Sequence, residues 1–315
     1  MVETRRLNEL VSSLDSVLDL PDGGLVVALS GGADSAGLAL LVANTGRPAR
    51  TIHVDHGTPA APQLRKAASA IAGHLGLDLH VEAVSLPDGG FSEERARSER
   101  YRALETQRRE GEWVVTGHTR EDQAETVLMN LIRGAGPLGL SGIPRRSNGW
   151  VARPILDAPR GDLRELATLA LLPYVDDPSN LDLEFTRNAI RQKVLPDLAR
   201  FNPSVVASLA RTASLLREHL AFIELAVESI PVRVSSEGAE IPIGHLIVAP
   251  QVVATGAIRR AVSLLRPPYP PTAGETERIW EVVTGEQRAA EIEGGIRVET
   301  RGAMLALGID SKVSR

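Results

Sequence analysis

The sequence predicts an α/β protein: a doubly wound parallel sheet, then a smaller, mainly helical C-terminal domain. Three observations predict it. Apolar runs of strand length alternate with helix-length amphipathic segments from about residue 25 to 132. The first such strand, Leu25–Leu29, runs into Ser30-Gly31-Gly32-Ala33-Asp34-Ser35 and then an apolar segment from Ala36 to Val42. The composition, 43% hydrophobic and 24% charged over 315 residues, is that of an ordinary globular chain long enough for two domains.

Each element has a local reason. The N-terminal MVETRRLNELVSSLDSVL reads as an amphipathic helix. Its acidic residues and lack of a continuous apolar core set it apart from a signal peptide, and no apolar stretch is long enough to cross a membrane. The cytoplasm is therefore the expected compartment. Leu25–Leu29 is a strand and Asp34–Val42 a helix. Arg50–Asp55 is a strand with alternating Ile52 and Val54, and Gln63–Leu75 a helix ending at Gly76. Leu79–Val84 is a strand, Ser92–Arg109 a helix with Ser92 as its cap, Trp113–Thr116 a strand, and Asp122–Ile132 a helix ending at Gly134. Repeated βαβ units give a Rossmann-like parallel sheet with right-handed crossovers, and ligands sit beyond the carboxyl ends of its strands. After Leu198 the pattern changes. Asn202-Pro203 opens a long helix to about Val227, Ala249–Leu265 and Glu275–Val283 are further helices, and short strands lie around Glu291–Val298 and Met304–Leu307. The expected domains are 1–200 and 201–315.

The chemistry-bearing residues fall at strand ends. Two adjacent glycines in Ser30–Ser35 let the backbone turn tightly, and the following helix N-terminus adds partial positive charge, which together make a phosphate cradle. It is not a GxxxxGK[ST] loop, because no lysine follows. The second strand ends in His53-Val54-Asp55-His56-Gly57; no fourth ligand accompanies these side chains, so no metal site is expected from a protein cluster. The fourth strand leads into Gly117-His118-Thr119-Arg120-Glu121-Asp122-Gln123-Ala124-Glu125-Thr126, where Asp122 and Glu125 share one face of a helix. Acids in a first turn also suit the helix dipole.

The chain contains no cysteine, which excludes disulfides, thiolate zinc sites, cysteine-held iron–sulfur clusters and a cysteine amidotransferase. Net charge is −5, so any nucleic-acid surface must be local. Arginines cluster at 95, 97, 100 and 102, at 108 and 109, at 145 and 146, and at 187 and 191. The first cluster reads equally well as a helix face paired to Glu93, Glu94, Glu99 and Glu105.

The Ser30–Ser35 hexapeptide resembles the pyrophosphate loop of the ATP pyrophosphatases, whose fold is adenine nucleotide alpha hydrolase-like. The segment from Gly117 to Pro144, with its Arg133-Gly134-Ala135-Gly136-Pro137-Leu138-Gly139-Leu140-Ser141-Gly142 run, resembles the GHxxDDQxET…RGxGxxGLxG block of the tRNA(Ile)-lysidine synthetase family, with Glu121 in place of the first aspartate of the pair. Arg153-Pro154-Ile155-Leu156, Asp176-Asp177-Pro178-Ser179-Asn180, and Thr186-Arg187-Asn188 with Arg191 are similar to its RPLL…EDPSN…RN.IR pattern. Glu93 to Tyr101 resembles its E-A-R-A-R-x-x-R-Y helix.

That resemblance implies ligation of L-lysine to C2 of the wobble cytidine of tRNA(Ile) with a CAU anticodon, through an adenylylated cytidine, with release of pyrophosphate and AMP. Reading then changes from AUG to AUA. It implies ATP as cofactor, held by Ser30, Gly31, Gly32, Ala33, Asp34 and Ser35 with His53 and Gly117, and Mg²⁺ arriving with ATP; Asp34 either binds that Mg²⁺ or orients the triphosphate. Arg100 and Arg187 are expected to stabilise charge as AMP moves and leaves. Asp122 and Glu125 are expected on the lysine ammonium groups, with Arg133 also on the substrate side. One of the two carboxylates, or His118, serves as base. The C-terminal domain is expected to contact tRNA, and the further acceptor-stem domain of some family members finds no room here. A homodimer stays open. Two rivals remain: an ammonia-dependent ATP pyrophosphatase such as NAD synthetase, and a noncatalytic tRNA-binding protein with a relict loop.

Overall fold

The structure, a computed structural model, describes residues 2–84, 93–236, 238–267 and 270–309. By contacts the chain divides into Met1–Leu216 and Arg217–Arg315.

The first unit opens with α1 (Val2–Asp15), β1 (Gly24–Ala28), α2 (Ala33–Asn44), β2 (Ala49–Asp55), α3 (Ala61–Leu75), β3 (Leu79–Ala83), α4 (Glu93–Gln107), β4 (Glu112–Val115) and α5 (Arg120–Ile132). These are the expected elements, with ends moved by one to three residues; Ser92, the expected cap of α4, lies outside the described residues. Gly76 closes α3 in the left-handed conformation, with φ +65°. Then come α6 (Pro137–Leu140), the two-residue strands β5 (Arg146–Ser147) and β6 (Val151–Ala152), and α7 (Arg160–Leu169). The short helices α8 (Thr186–Ala189) and α9 (Leu195–Ala199) flank a π-helical turn, Ile190–Val194. The long α10 (Val205–Ser229) contains the division point.

The sheet order is β3-β2-β1-β4-β6-β5, with β1 parallel to both β2 and β4 and only β5 antiparallel. Both faces of β1 are covered, as an all-parallel core requires. Leu25, Val27 and Leu29 pack with Leu38 and Leu41 of α2 and with Leu163 and Leu166 of α7. Val26 turns the other way, to Ile52, Leu104, Val114 and Trp150. The chain leaves β1 toward β2 on one side and reaches β4 on the other. The switch point, where ligands bind, thus lies between the carboxyl ends of β1 and β4.

The second unit holds β7 (Arg233–Ser235), β8 (Gly238–Pro242), α11 (Ile243–Val248), α12 (Gln251–Leu265), α13 (Ala273–Thr284), β9 (Ala289–Ile292), β10 (Ile296–Arg301) and β11 (Met304–Ile309). Its antiparallel sheet runs β7-β8-β11-β10-β9, so among the described residues five strands form where the sequence suggested two. Ile241, Val298, Leu305 and Leu307 pack against Ala257, Ile258 and Ala261 of α12 and Ile279 of α13. The start of α13 is fixed by a reciprocal cap: Glu275 N–H donates to Thr272 Oγ1 and Thr272 N–H to Glu275 Oε2. Among the described residues no helix is long and apolar enough to cross a membrane.

Candidate active site

A cleft of about 1420 Å³ opens beyond the carboxyl ends of β1, β2 and β4. That exceeds the roughly 300–1,000 Å³ of a typical single-ligand pocket. Ser30, Gly32, Ala33, Asp34, Ser35, His53, Arg100, Gly117, His118, Asp122 and Arg187 line it, so most of the sequence-nominated residues converge.

The loop after β1 is held open by its own side chains. Ser35 Oγ donates to Gly32 O at 2.9 Å and accepts from Ser30 N–H at 3.1 Å. Gly31 has φ +91°, and a Cβ there would lie 2.4 Å from Leu64 O, so only glycine fits. Gly31 O in turn accepts from Val175 N–H at 3.0 Å. Gly32 caps α2 without a side-chain bond to the helix amides. The first-turn N–H groups are therefore left without a side-chain cap, and Ala33, Asp34 and Ser35 line the cleft, which suits an anion site at a helix N-terminus. Across the switch point Gly117 closes on this loop: a Cβ there would sit 3.1 Å from Asp34 C and Ser35 N.

Asp34 lines the cleft beside Arg160, whose Nε donates to its Oδ2 at 3.2 Å. Burial pushes the Asp34 carboxyl up to about 6, against the pull of Arg160. Asp122 caps α5: its Oδ2 accepts from Thr119 N–H at 2.8 Å and Thr119 Oγ1 at 2.9 Å, while Oδ1 faces Arg160 Nη2 at 2.9 Å. Burial opposes its ionisation, but Arg160, His118 and the Thr119 N–H outweigh burial and hold it well below the usual carboxylate range. Glu125, one turn further, is fully buried and lies outside the cleft lining. Its carboxylate takes a bidentate pair from Arg191, Nε at 2.7 Å and Nη2 at 3.0 Å, with Arg160 Nη1 at 3.2 Å and Arg187 Nε at 3.4 Å. The acid pair thus already carries guanidinium partners: Asp122 presents an edge to the cleft, and Glu125 anchors arginines behind it.

His118 Nδ1 pairs with Thr116 Oγ1 at 2.8 Å. Burial, with Arg153, Arg100 and Arg97 nearby, outweighs the pull of Asp122 and keeps the imidazole neutral. His53 Nδ1 donates to Leu29 O at 2.8 Å, fixing the tautomer, and burial holds it neutral as well. Arg100 is desolvated and stands among Arg97, Arg187 and Arg153, all of which lower its pKa, so this wall of the cleft is strongly cationic. Arg133 is not brought to the cleft: it caps the far end of α5 and is exposed. Among the described residues no three His, Asp or Glu side chains converge as a metal cluster.

Two features escaped the sequence reading. Arg160 bridges Asp34, Asp122 and Glu125, and Gln123 pins the glycine-rich loop by accepting from Ile143 N–H at 2.6 Å and donating to Ile143 O at 3.2 Å. The signal for Arg160 was a basic residue just after Pro159 at a helix start, where the macrodipole disfavours it.

The fold and this loop define the class, and the comparisons agree. A profile of the PP-loop domain family matches residues 2–198, so the chain carries an ATP-binding PP-loop domain. The chain is 37% identical over 311 residues to the tRNA(Ile)-lysidine synthase of Salinispora arenicola, covering 91% of this chain and 92% of that protein. It is 42% identical over 205 residues to the tRNA(Ile)-lysidine synthase of Pseudomonas aeruginosa, 62% of this chain, but spans only 46% of that longer relative. It belongs to the tRNA(Ile)-lysidine synthase family of ligase-type PP-loop enzymes. Among solved structures, the U34-tRNA thiolase NcsA from Methanococcus maripaludis shares the fold, with a TM-score of 0.55 at 19% identity, covering 69% of this chain and 80% of that one.

Proposed function

We propose that this chain joins L-lysine to C2 of the wobble cytidine of a CAU-anticodon tRNA(Ile) in the cytoplasm, at the expense of ATP. The observation that carries the reading is one cleft with a phosphate cradle and an acid edge side by side. In the first step the cytidine C2 oxygen attacks the α-phosphorus of ATP; a P–O bond forms and the bond to the β-phosphate oxygen breaks, releasing pyrophosphate. In the second, the lysine side-chain amine attacks C2, loses a proton, and AMP leaves with the former C2 oxygen.

In this reading the amides at the start of α2 hold the phosphates, while Arg100 and Arg187 neutralise charge as it builds on the α-phosphate and on departing AMP. Asp122 receives a lysine ammonium group at the cleft edge, and Glu125 acts through the arginines it orients. His118, held neutral, serves as a hydrogen-bond partner at the β4 end; its depressed proton affinity makes it a weak base. With no protein cluster for a metal among the described residues, Mg²⁺ would be held by the phosphates and the single carboxylate of Asp34, supplying charge neutralisation there. The target base comes from an unpaired loop, so it can be splayed into a pocket without opening a duplex.

Thiolation chemistry like that of the structural relative is disfavoured, because the 315 residues contain no cysteine to carry sulfur or a cluster. Incubation with ATP, labelled lysine and CAU tRNA(Ile) tests the reading: label should enter the tRNA with stoichiometric pyrophosphate and AMP. Label in free lysine only, or AMP formation independent of tRNA, would reject it.

A further inference from the structure

Arg160 is where the two halves of the cleft meet. It is the first residue of α7, and its root is fixed, since its backbone N–H donates to Glu121 Oε2 at 2.8 Å and Arg120 N–H to Ala158 O at 3.0 Å. α7 is itself pressed on α2, where a Cβ at Gly37 would meet Leu163 O at 3.1 Å. From this root the guanidinium sends Nε to Asp34 at 3.2 Å, Nη2 to Asp122 at 2.9 Å and Nη1 to Glu125 at 3.2 Å. Three nitrogens thus serve three carboxylates on two helices, a span that one ammonium nitrogen cannot reproduce. Its place in the first turn of α7 works against that helix's dipole, so the bridge is not explained by helix stability.

We propose that Arg160 is a positioning residue that couples the phosphate loop to the acid edge, as the shared counter-ion of Asp34, Asp122 and Glu125. The inference rests on reading those places as the nucleotide and amino-acid subsites. A divalent ion arriving with the triphosphate competes with Arg160 for Asp34 and leaves the guanidinium to Asp122 and Glu125. An ammonium group arriving at Asp122 must then displace a more firmly held cation. Each cation weakens the other's binding, and by linkage the effect is reciprocal. The consequence is an order of events: lysine binds best after pyrophosphate and its metal have left, when the activated base is ready for attack. Arg187 and Arg191 hold Glu125 independently and keep it in place throughout.

Calorimetric titration of lysine into the full chain, with and without Mg²⁺ and α,β-methylene ATP, tests this. In the unmodified chain the nucleotide should weaken lysine binding on the order of 5-fold or more, with the same factor for nucleotide binding at saturating lysine. In Arg160→Gln the factor should fall to about one. Arg160→Lys keeps the charge and guards against a folding defect; it too should lose most of the coupling. A residue with a merely structural role would change both affinities and leave their coupling intact. A factor of one in the unmodified chain, or one that persists in both variants, overturns the proposal while leaving the two subsites standing. Nucleotide binding without any lysine binding would overturn the amino-acid subsite and the proposal with it.

Discussion

Asp34 combines two demands that conflict. Its place at the mouth of the phosphate loop desolvates it, and burial raises its carboxyl from 3.8 to about 6. Between those values the folded state holds a proton that the unfolded chain has released, so stability falls as pH rises from about 4 to about 6 and stays lowered above. At one pK unit per roughly 1.4 kcal/mol, the ionised group costs on the order of 2–3 kcal/mol at pH 8. Asp34→Asn should therefore raise the Tm at pH 8 but not at pH 4, while abolishing pyrophosphate release, a stability–activity trade-off. Thermal unfolding at the two pH values checks it, and a lower Tm at pH 8 contradicts it. The acid pair should behave asymmetrically. Glu125 is fully buried among three guanidinium groups, so Glu125→Gln leaves charge uncompensated and should cost about 3–5 kcal/mol by chemical denaturation. Asp122→Asn should cost less stability but raise the lysine KM by ~10-fold or more, since one charge-assisted hydrogen bond is worth roughly 1.5–3 kcal/mol. A Glu125→Gln protein as stable as its parent would refute the anchoring role. At this scale Asp34, Asp122 and Glu125 were legible from their residue types and spacing. Their three arginine partners were not assigned to them, because the bridges join positions more than thirty residues apart, which no local pattern encodes.

Among the elements, the strand-to-helix corner after β1 sets the site. Gly31→Ala would force a Cβ to within 2.4 Å of the Leu64 carbonyl at φ +91°. The loop would have to move, so ATP affinity should drop by ~10-fold or more while the β1–α2 core persists. Gly161, in the first turn of α7, has nothing within 4 Å of an added Cβ, and Gly161→Ala should leave ATP affinity unchanged and gain roughly 0.5–1 kcal/mol of stability. Nucleotide titration and denaturation of both variants decide it; equal ATP affinity in Gly31→Ala and its parent would show that the loop does not depend on that backbone conformation. The long elements from α1 to α5 were readable because apolar periodicity and glycine stops agree there. β5 and β6 were not, since two residues carry no period. α7 was overlooked although its own sequence carries the signal: Leu163, Leu166 and Ala167 fall at helical spacing behind Pro159.

For the whole molecule, charge and division of the chain argue together about tRNA. A net charge of −5 leaves no general attraction for a polyanion, so binding must be local, and we propose that it rests on the arginines of the cleft and on residues of the second unit. Composition placed the change of character near residue 200, but Val205, Val206 and Leu209 of α10 pack with Ala124 and Leu128 of α5. A chain cut at 202 would strip the helix that carries Asp122 and Glu125 of part of its packing, and lost activity would then be uninterpretable. A chain ending at Leu216 keeps those contacts. We expect that shortened chain to bind ATP as the full chain does and tRNA at least ~10-fold more weakly. Full-length affinity should also fall as salt rises, because each phosphate contact releases counter-ions. The shortened chain, with fewer such contacts, should show a shallower slope of log affinity against log salt. Filter binding of tRNA(Ile) at two salt concentrations, with ATP titration as the check on folding, measures all three quantities. Equal tRNA affinity and equal slope in a chain that still binds ATP would remove the second unit from tRNA recognition and leave the arginine-lined wall of the cleft to account for it alone.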